Sequence, residues 1–190
     1  MKIAVTKIAK KQPAKKKVYL HPMEGIAWEN KRVNLGDTRA QVTALLGEGD
    51  FFEGSCYYFD SELAIVFDKE DKVKFIEFLG GGVEDNLLQP YIFGESAFEV
   101  HASALFLTLE EKNGDRAVSN DEGYAFAFEN LGVRIYRDYT PADVDNYAAE
   151  LKAEGIDPNG LDPDSMEAWQ ELNYQKQLSE HWSTIGIYRK

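Results

Sequence analysis

Ser55–Leu79 reads SCYYFDSELAIVFDKEDKVKFIEFL, and this stretch decides the fold class. Three runs rich in Tyr, Phe, Val and Ile, at Ser55–Asp60, Leu63–Asp68 and Val73–Leu79, are separated by the short polar turns Ser61-Glu62 and Lys69–Lys72. Aromatic and β-branched residues suit a pleated, half-buried surface, and connections this short join only antiparallel neighbours. An antiparallel meander follows. Just upstream, Thr38 and Gln41 stand at capping-box spacing, Val42, Leu45 and Leu46 make an apolar stripe, and Gly47 sits where a helix ends. Together they predict a helix from about Asp37 to Leu46.

The same order of elements returns downstream. Ser96 and Glu99 repeat the capping-box spacing and predict a longer helix through Val100, Ala104, Leu105, Leu107 and Leu109 to about Lys112. Gly123–Glu129 (GYAFAFE) and Leu131–Arg137 (LGVRIYR) read as two further strands. Laying Thr38 on Ser96 brings Gln41 onto Glu99 and Val42 onto Val100, and Phe59-Asp60-Ser61 parallels Phe128-Glu129-Asn130. This is either a duplicated unit or two amphipathic units alike by chance. Thr140-Pro141 with Asp143 opens a third helix that Gly155 closes, and the turn-rich Asp157–Asp164 leads to a fourth, capped by Ser165 or Asp164 and running to about Ser179. Thr184–Tyr188 supplies the last strand, expected to pair with Leu131–Arg137.

The expected fold is therefore α+β: two related helix-then-antiparallel-meander units sharing a sheet or core, with a two-helix insertion at 140–180 before the C-terminal strand. Residues 1–17 are expected to be a basic flexible tail or an edge strand, 18–94 the first unit and 95–190 the second. Short β segments are expected around Val18–Leu20 and Arg32–Leu35. Gly80-Gly81-Gly82 reads as a hinge that opens a connector running to Gly94.

Charge is distributed unevenly along the 190 residues. Residues 1–23 carry seven lysines and no Asp or Glu, so the total of −12 conceals a body, 24–190, with 14 basic and 33 acidic residues and a net of −19. Such a body repels nucleic acid and anionic membrane and draws in a basic surface, unless the charge serves solubility alone. Nine acids and one lysine fall between Thr140 and Leu172, making the helical insertion the most acidic stretch. A single cysteine, Cys56, forms no internal disulfide and fits a reducing compartment. Lysines interrupt the first residues before a secretory apolar run develops, and no segment approaches the roughly 20 apolar residues of a bilayer span. A cytoplasmic protein without a membrane role is expected.

Reactive constellations are sparse. His21, His101 and His181 have no carboxylate or second histidine at zinc-ligand spacing. Cys56 lies inside a strand beside Tyr57 and Tyr58, with no cationic neighbour in sequence to make a thiolate, so a buried, inert thiol is expected. The loop DPNGLDPD lacks the distal glutamate of a calcium-binding EF-hand and reads as a solvated turn. The triple glycine has no following Lys-Ser/Thr, and no serine occupies a GxSxG elbow. Neither a catalytic residue nor a cofactor or metal site is expected.

Val33–Gly47 (VNLGDTRAQVTALLG) resembles the helix-plus-meander unit of the BLIP/BamE-like group, although those proteins are exported and no signal peptide or lipid-attachment cysteine is visible here. Over roughly 30–190 the chain, with Ser96-Ala97-Phe98-Glu99, GYAFAFENLGVRIYRD and the closing TIGIYRK, resembles the small acidic immunity proteins encoded beside bacterial contact-dependent or polymorphic toxins. That resemblance implies an antidote covering the active site of a cognate toxin, often a basic nuclease. The candidate partner-binding residues are Asp60, Glu62, Asp68, Glu70, Asp71 and Glu77 around the first meander, and Asp143, Asp145, Glu150 and Glu154 on the inserted helix. Tyr57 and Tyr58, with Phe51 and Phe52, are candidate aromatic anchors. The alternatives are a self-associating structural or regulatory module and a small hydrolase.

Overall fold

The computed structural model describes residues 14–82, 85–157, 159–160 and 162–189. The first part of the chain folds as β1 (Lys16–His21), β2 (Gly25–Trp28), β3 (Lys31–Asn34), α1 (Arg39–Leu46), β4 (Asp50–Phe52), β5 (Ser55–Tyr58), β6 (Leu63–Phe67) and β7 (Val73–Leu79). There follow β8 (Leu88–Ile92), β9 (Glu95–Ser96), α2 (Ala102–Asn113), β10 (Val118–Asp121), β11 (Ala125–Phe128) and β12 (Val133–Tyr136). The chain ends with α3 (Pro141–Ala153), α4 (Pro163–Ser179) and β13 (Thr184–Tyr188). One sheet has the order β10-β11-β12-β13-β7-β6-β5-β4 and the other β3-β2-β1-β8-β9, so the class is α+β.

The predicted meander is β5–β7, and β4 extends it by one edge strand. A second meander, β10–β12, ends beside β13, which pairs antiparallel with β12 (Val133↔Ile187 to Tyr136↔Thr184) and with β7 (Leu79↔Thr184 to Phe75↔Tyr188). The two four-strand halves thereby become one eight-stranded sheet. Helices α3 and α4 leave it after β12 and return the chain to the neighbouring strand. Strand alternation sends Tyr58, Leu63, Ile65, Ile76, Phe78, Val133, Ile135, Ile185 and Ile187 to one face. There they join Val42 of α1, Leu105 and Leu109 of α2, and Val18, Ile26, Trp28 and Val33 of the smaller sheet in one apolar cluster. Each side chain of this kind contributes about 1.5–3 kcal/mol on full burial.

The structure corrects four expectations. Lys16 and Lys17 belong to β1, an interior strand of the smaller sheet that runs parallel to β8 (Lys16↔Leu88 to Tyr19↔Tyr91), so they form neither a tail nor an edge; residues 1–13 of the expected tail lie outside the described residues. The stretch after the triple glycine holds β8 and β9. Gly81 is packed rather than hinged: its N–H donates to the Ser183 carbonyl at 2.9 Å, and a Cβ there would sit 1.8 Å from the Trp182 carbonyl oxygen. Helix α2 begins at Ala102 with His101 as its N-cap, Nδ1 accepting from Ser103 N–H at 3.3 Å. Ser96 is in β9, where its carbonyl accepts from Glu99 and Val100 in a single turn that stops short of the helix, so the caps of α1 and α2 do not superpose. Finally, α4 is capped by Asp162, which accepts from Ser165 N–H at 3.0 Å, with Pro163 at the first helical position.

Asn113 ties the end of α2 to the β11–β12 turn. Its Oδ1 accepts from Asn130 N–H at 2.9 Å and Leu131 N–H at 3.3 Å, while Nδ2 donates to the Asp115 carbonyl at 2.9 Å. Asn113 is 5% exposed, so Asn113→Ala removes three buried-side hydrogen bonds at once and opens a void at the end of α2, while Leu131 N–H keeps its bond to the Phe128 carbonyl at 3.1 Å. Urea unfolding should show a loss of about 2 kcal/mol with an unchanged denaturant slope; a loss below about 0.5 kcal/mol would contradict this role.

Candidate functional site

Helices α3 and α4 start from strong local signals. At Thr140 the capping box is complete: its hydroxyl accepts from Asp143 N–H at 3.3 Å, and the Asp143 carboxylate accepts from Thr140 N–H at 2.6 Å. Pro141 and Pro163 preset the first helical φ of each helix. The pair encloses a groove of about 670 Å³ with Leu151 and Ala168 at its base. Glu150 of α3 and its C-cap residue Glu154 face Asp164, Glu167 and Glu171 of α4 across it, and Tyr147 and Tyr174 stand among them. None of these five carboxylates forms an ion pair with a described lysine or arginine. The Tyr147 hydroxyl registers the resulting potential: partial burial first, then the charges of Glu171, Glu167, Glu154 and Glu150, push its pKa above the ordinary tyrosine value. Like charges lining one groove repel one another, more strongly beside protein than in bulk water, a cost that a bound cation would relieve.

The remaining candidates do not form the contiguous patch expected of the first meander. Asp60 and Glu62 occupy the β5–β6 turn, and Asp68, Glu70 and Asp71 the β6–β7 turn, at opposite ends of a five-residue strand, about 17 Å at 3.3 Å per residue. Several already have partners inside the chain. Glu62 accepts from Leu87 and Leu88 N–H at 2.6 and 2.7 Å, fixing the start of β8. Asp68 accepts from Lys72 and Glu70 N–H, bonds that hold its carboxyl below the usual range. Asp71 pairs with Arg39 at 2.7 Å, and Glu70 with Lys72 at 2.8 Å. Tyr58 is buried in the core, out of reach of a partner, and the anchor role expected of it is corrected. Tyr57 and Glu77 share the uncovered face of the large sheet, where Thr184 donates to Glu77 at 2.9 Å and burial pushes the carboxyl pKa up. Phe51 and Phe52 are exposed on the edge strand β4. On the insertion, Glu150 and Glu154 line the groove, whereas Asp143 is committed to its helix cap and Asp145 faces a different cleft.

Cys56 is buried, as expected, but it does have a cationic neighbour. Arg39 Nη1 lies 2.9 Å from Sγ, its Nε donates to Asp71, and its guanidinium lies 4.1 Å over the Phe67 ring. Seventeen residues separate Arg39 from Cys56, so only the fold reveals the contact. His101 caps α2, and His181 Nδ1 lies 3.2 Å from the Val100 carbonyl; among the described residues neither pairs with a carboxylate. Among the described residues no group of three His, Cys, Asp or Glu is placed to hold a metal ion, and no helix is long and apolar enough to cross a membrane. A second cleft, of about 590 Å³, opens where α2, α3 and α4 meet β11. Sequence reasoning missed it, because its walls come from residues 101–106, 126, 137–145 and 176–182.

No protein-family model matches this chain, and neither a curated protein nor a solved structure shows significant similarity to it.

Asp143 anchors α3 to the sheet. Partial burial alone would raise its pKa, but hydrogen bonds from Tyr124 Oη at 2.6 Å and from Thr140, with the charge of Arg137, hold it below the ordinary carboxylate value. Its contribution to stability is therefore present above the unfolded-state pKa, about 4, and lost as pH falls through the lower folded value. Asp143→Asn should lower the melting temperature at about pH 7, and the gap to wild type should close toward about pH 2, read by thermal denaturation across that range. A gap independent of pH would contradict the assignment.

Proposed function

We propose that the protein is an immunity protein, acting in the cytoplasm, that binds and neutralises a toxin with a cationic active-site groove, most simply a nuclease, through the α3–α4 face. The observation that carries this reading is the groove lined by Glu150, Glu154, Asp164, Glu167 and Glu171, none in an ion pair among the described residues, and flanked by tyrosines. A nuclease needs a basic groove to hold phosphates, and an array of carboxylates mimics them. Tyr147 and Tyr174 add apolar area in few rotamers, so the face offers ring contacts as well as charge. The net charge of −19 in the body steers a basic partner toward it and repels nucleic acid.

A second reading, self-association, is favoured by one feature. Strand β4 is an open edge of the large sheet, with Phe51 and Phe52 exposed by 65% and 63%. A dimer formed this way would be insensitive to salt, whereas toxin binding weakens as salt rises.

The test uses the protein encoded beside this chain's own gene, purified and titrated against wild type and the triple variant Glu150→Lys/Glu154→Lys/Glu167→Lys. The expected result is binding that falls at least about tenfold, or 1.4 kcal/mol, in the variant and weakens steadily with added salt. Equal affinity of the two proteins, or no binding to wild type, would overturn the reading.

A further inference from the structure

We propose that the cleft where α2, α3 and α4 meet β11 is a binding site for a planar apolar molecule carrying a carboxylate, with Arg137 receiving the acid group. This site lies apart from the acidic groove and does not depend on it. Its volume of about 590 Å³ falls within the roughly 300–1,000 Å³ typical of small-molecule sites. Three rings furnish it. Phe126 meets Trp182 edge-on at 5.8 Å and Phe106 at 4.9 Å, so the half-buried Phe126 and Phe106 line the cleft against a Trp182 that is itself 2% exposed. Trp182 is itself held in place, its indole N–H donating to the Ala102 carbonyl at 2.8 Å.

The chemistry of the acid-binding end follows from Arg137. Its guanidinium lies 4.9 Å over the Trp182 ring, and Nε donates to the Gly123 carbonyl at 3.1 Å. That bond uses one of five N–H donors. Among the described residues the fork makes no other hydrogen bond and no ion pair. The carboxylate that acts on it electrostatically, Asp143, has its oxygens engaged by Tyr124 and Thr140. Arg137 is thus a half-buried cation on an aromatic platform, and its terminal N–H groups meet no protein acceptor among the described residues. A planar fork of this kind matches a carboxylate through two parallel hydrogen bonds.

Lys176 and His101 add donors to the lining, and Asp145 and Glu180 add negative charge. The two acids favour a monoanion over a phosphate dianion, which they would repel more strongly. A carboxylate on a planar body arises from two sources, a free aromatic acid or a peptide ending in an aromatic residue.

The experiment is calorimetric titration of the full-length protein with 2-naphthoate and with neutral 2-naphthamide, beside Ac-Gly-Trp with a free C-terminus and its C-terminal amide. The expected result is a dissociation constant below about 1 mM for at least one acid, with its neutral partner at least about tenfold weaker. The acid that binds more tightly identifies the source. Arg137→Gln should abolish the preference for acid over amide, and Phe126→Ala should weaken both. Because the acid–amide comparison uses wild-type protein, it decides the matter even if a variant fails to fold. No binding of either acid, equal binding of acid and amide, or an undiminished preference in a folded Arg137→Gln protein would overturn the proposal.

Discussion

The ladder between β7 and β13 is the contact on which the rest of the molecule depends. Its opening pair, Leu79 and Thr184, lies 105 residues apart in sequence, and closing a loop of that length costs about 4 kcal/mol in chain entropy. Against this stand Ile76, Phe78, Ile185 and Ile187, each fully buried along the seam, at roughly 1.5–3 kcal/mol apiece. Burial exceeds closure, so the two meanders are held as one sheet. Gly186 lets the seam pack closely: it sits opposite both Glu77 and Arg134, and a Cβ there would meet the Phe75 ring at 2.4 Å.

The same ladder positions the inserted helices. Since α3 follows β12 and α4 precedes β13, the two ends of the helical pair emerge from adjacent strands and both are anchored. Tyr124 and Asp143 secure one end, and Trp182, bonded to Ala102, secures the other. Two recesses result: the acidic groove on the pair itself and the aromatic cleft where the pair meets α2. The distinction between structural and available carboxylates is physical. Glu62, Asp68, Asp71, Asp143 and Asp162 accept hydrogen bonds that organise the backbone or pair with a cation. Among the described residues the groove acids have no ion-pair partner, and only Glu171 accepts a side-chain hydrogen bond, from Gln175 at 2.8 Å.

Local signals were legible wherever the physics is local. The capping box at Thr38, Pro141 and the acidic Asp143 at a helix start, and the alternating apolar runs of β5–β7 all depend on neighbours within a few residues. Ser96 and Glu99 carry the same cap spacing, but tertiary packing draws Ser96 into β9 opposite Tyr91 and delays the helix to Ala102. The parallel β1–β8 pairing left no trace in local pattern, since lysines open β1 and glycines precede β8. At the site, the acidity of the insertion was visible as composition, and Glu150 and Glu154 were named. Asp164, Glu167 and Glu171 escaped because only the antiparallel packing of α4 on α3 brings them opposite. Asp143 was read both as part of the helix start and as a partner-binding acid, and its bonds to Thr140 and Tyr124 assign it to the first role.

Hydrogen–deuterium exchange on the complex with the protein encoded beside this chain's gene locates the contact surface without altering any residue. Engagement of the α3–α4 face predicts new protection concentrated in residues 144–171, with the exchange of β5–β7 unchanged. Protection confined to the uncovered face of the large sheet, around Tyr57, Phe75 and Tyr136, with 144–171 exchanging as in the free protein, would contradict the account.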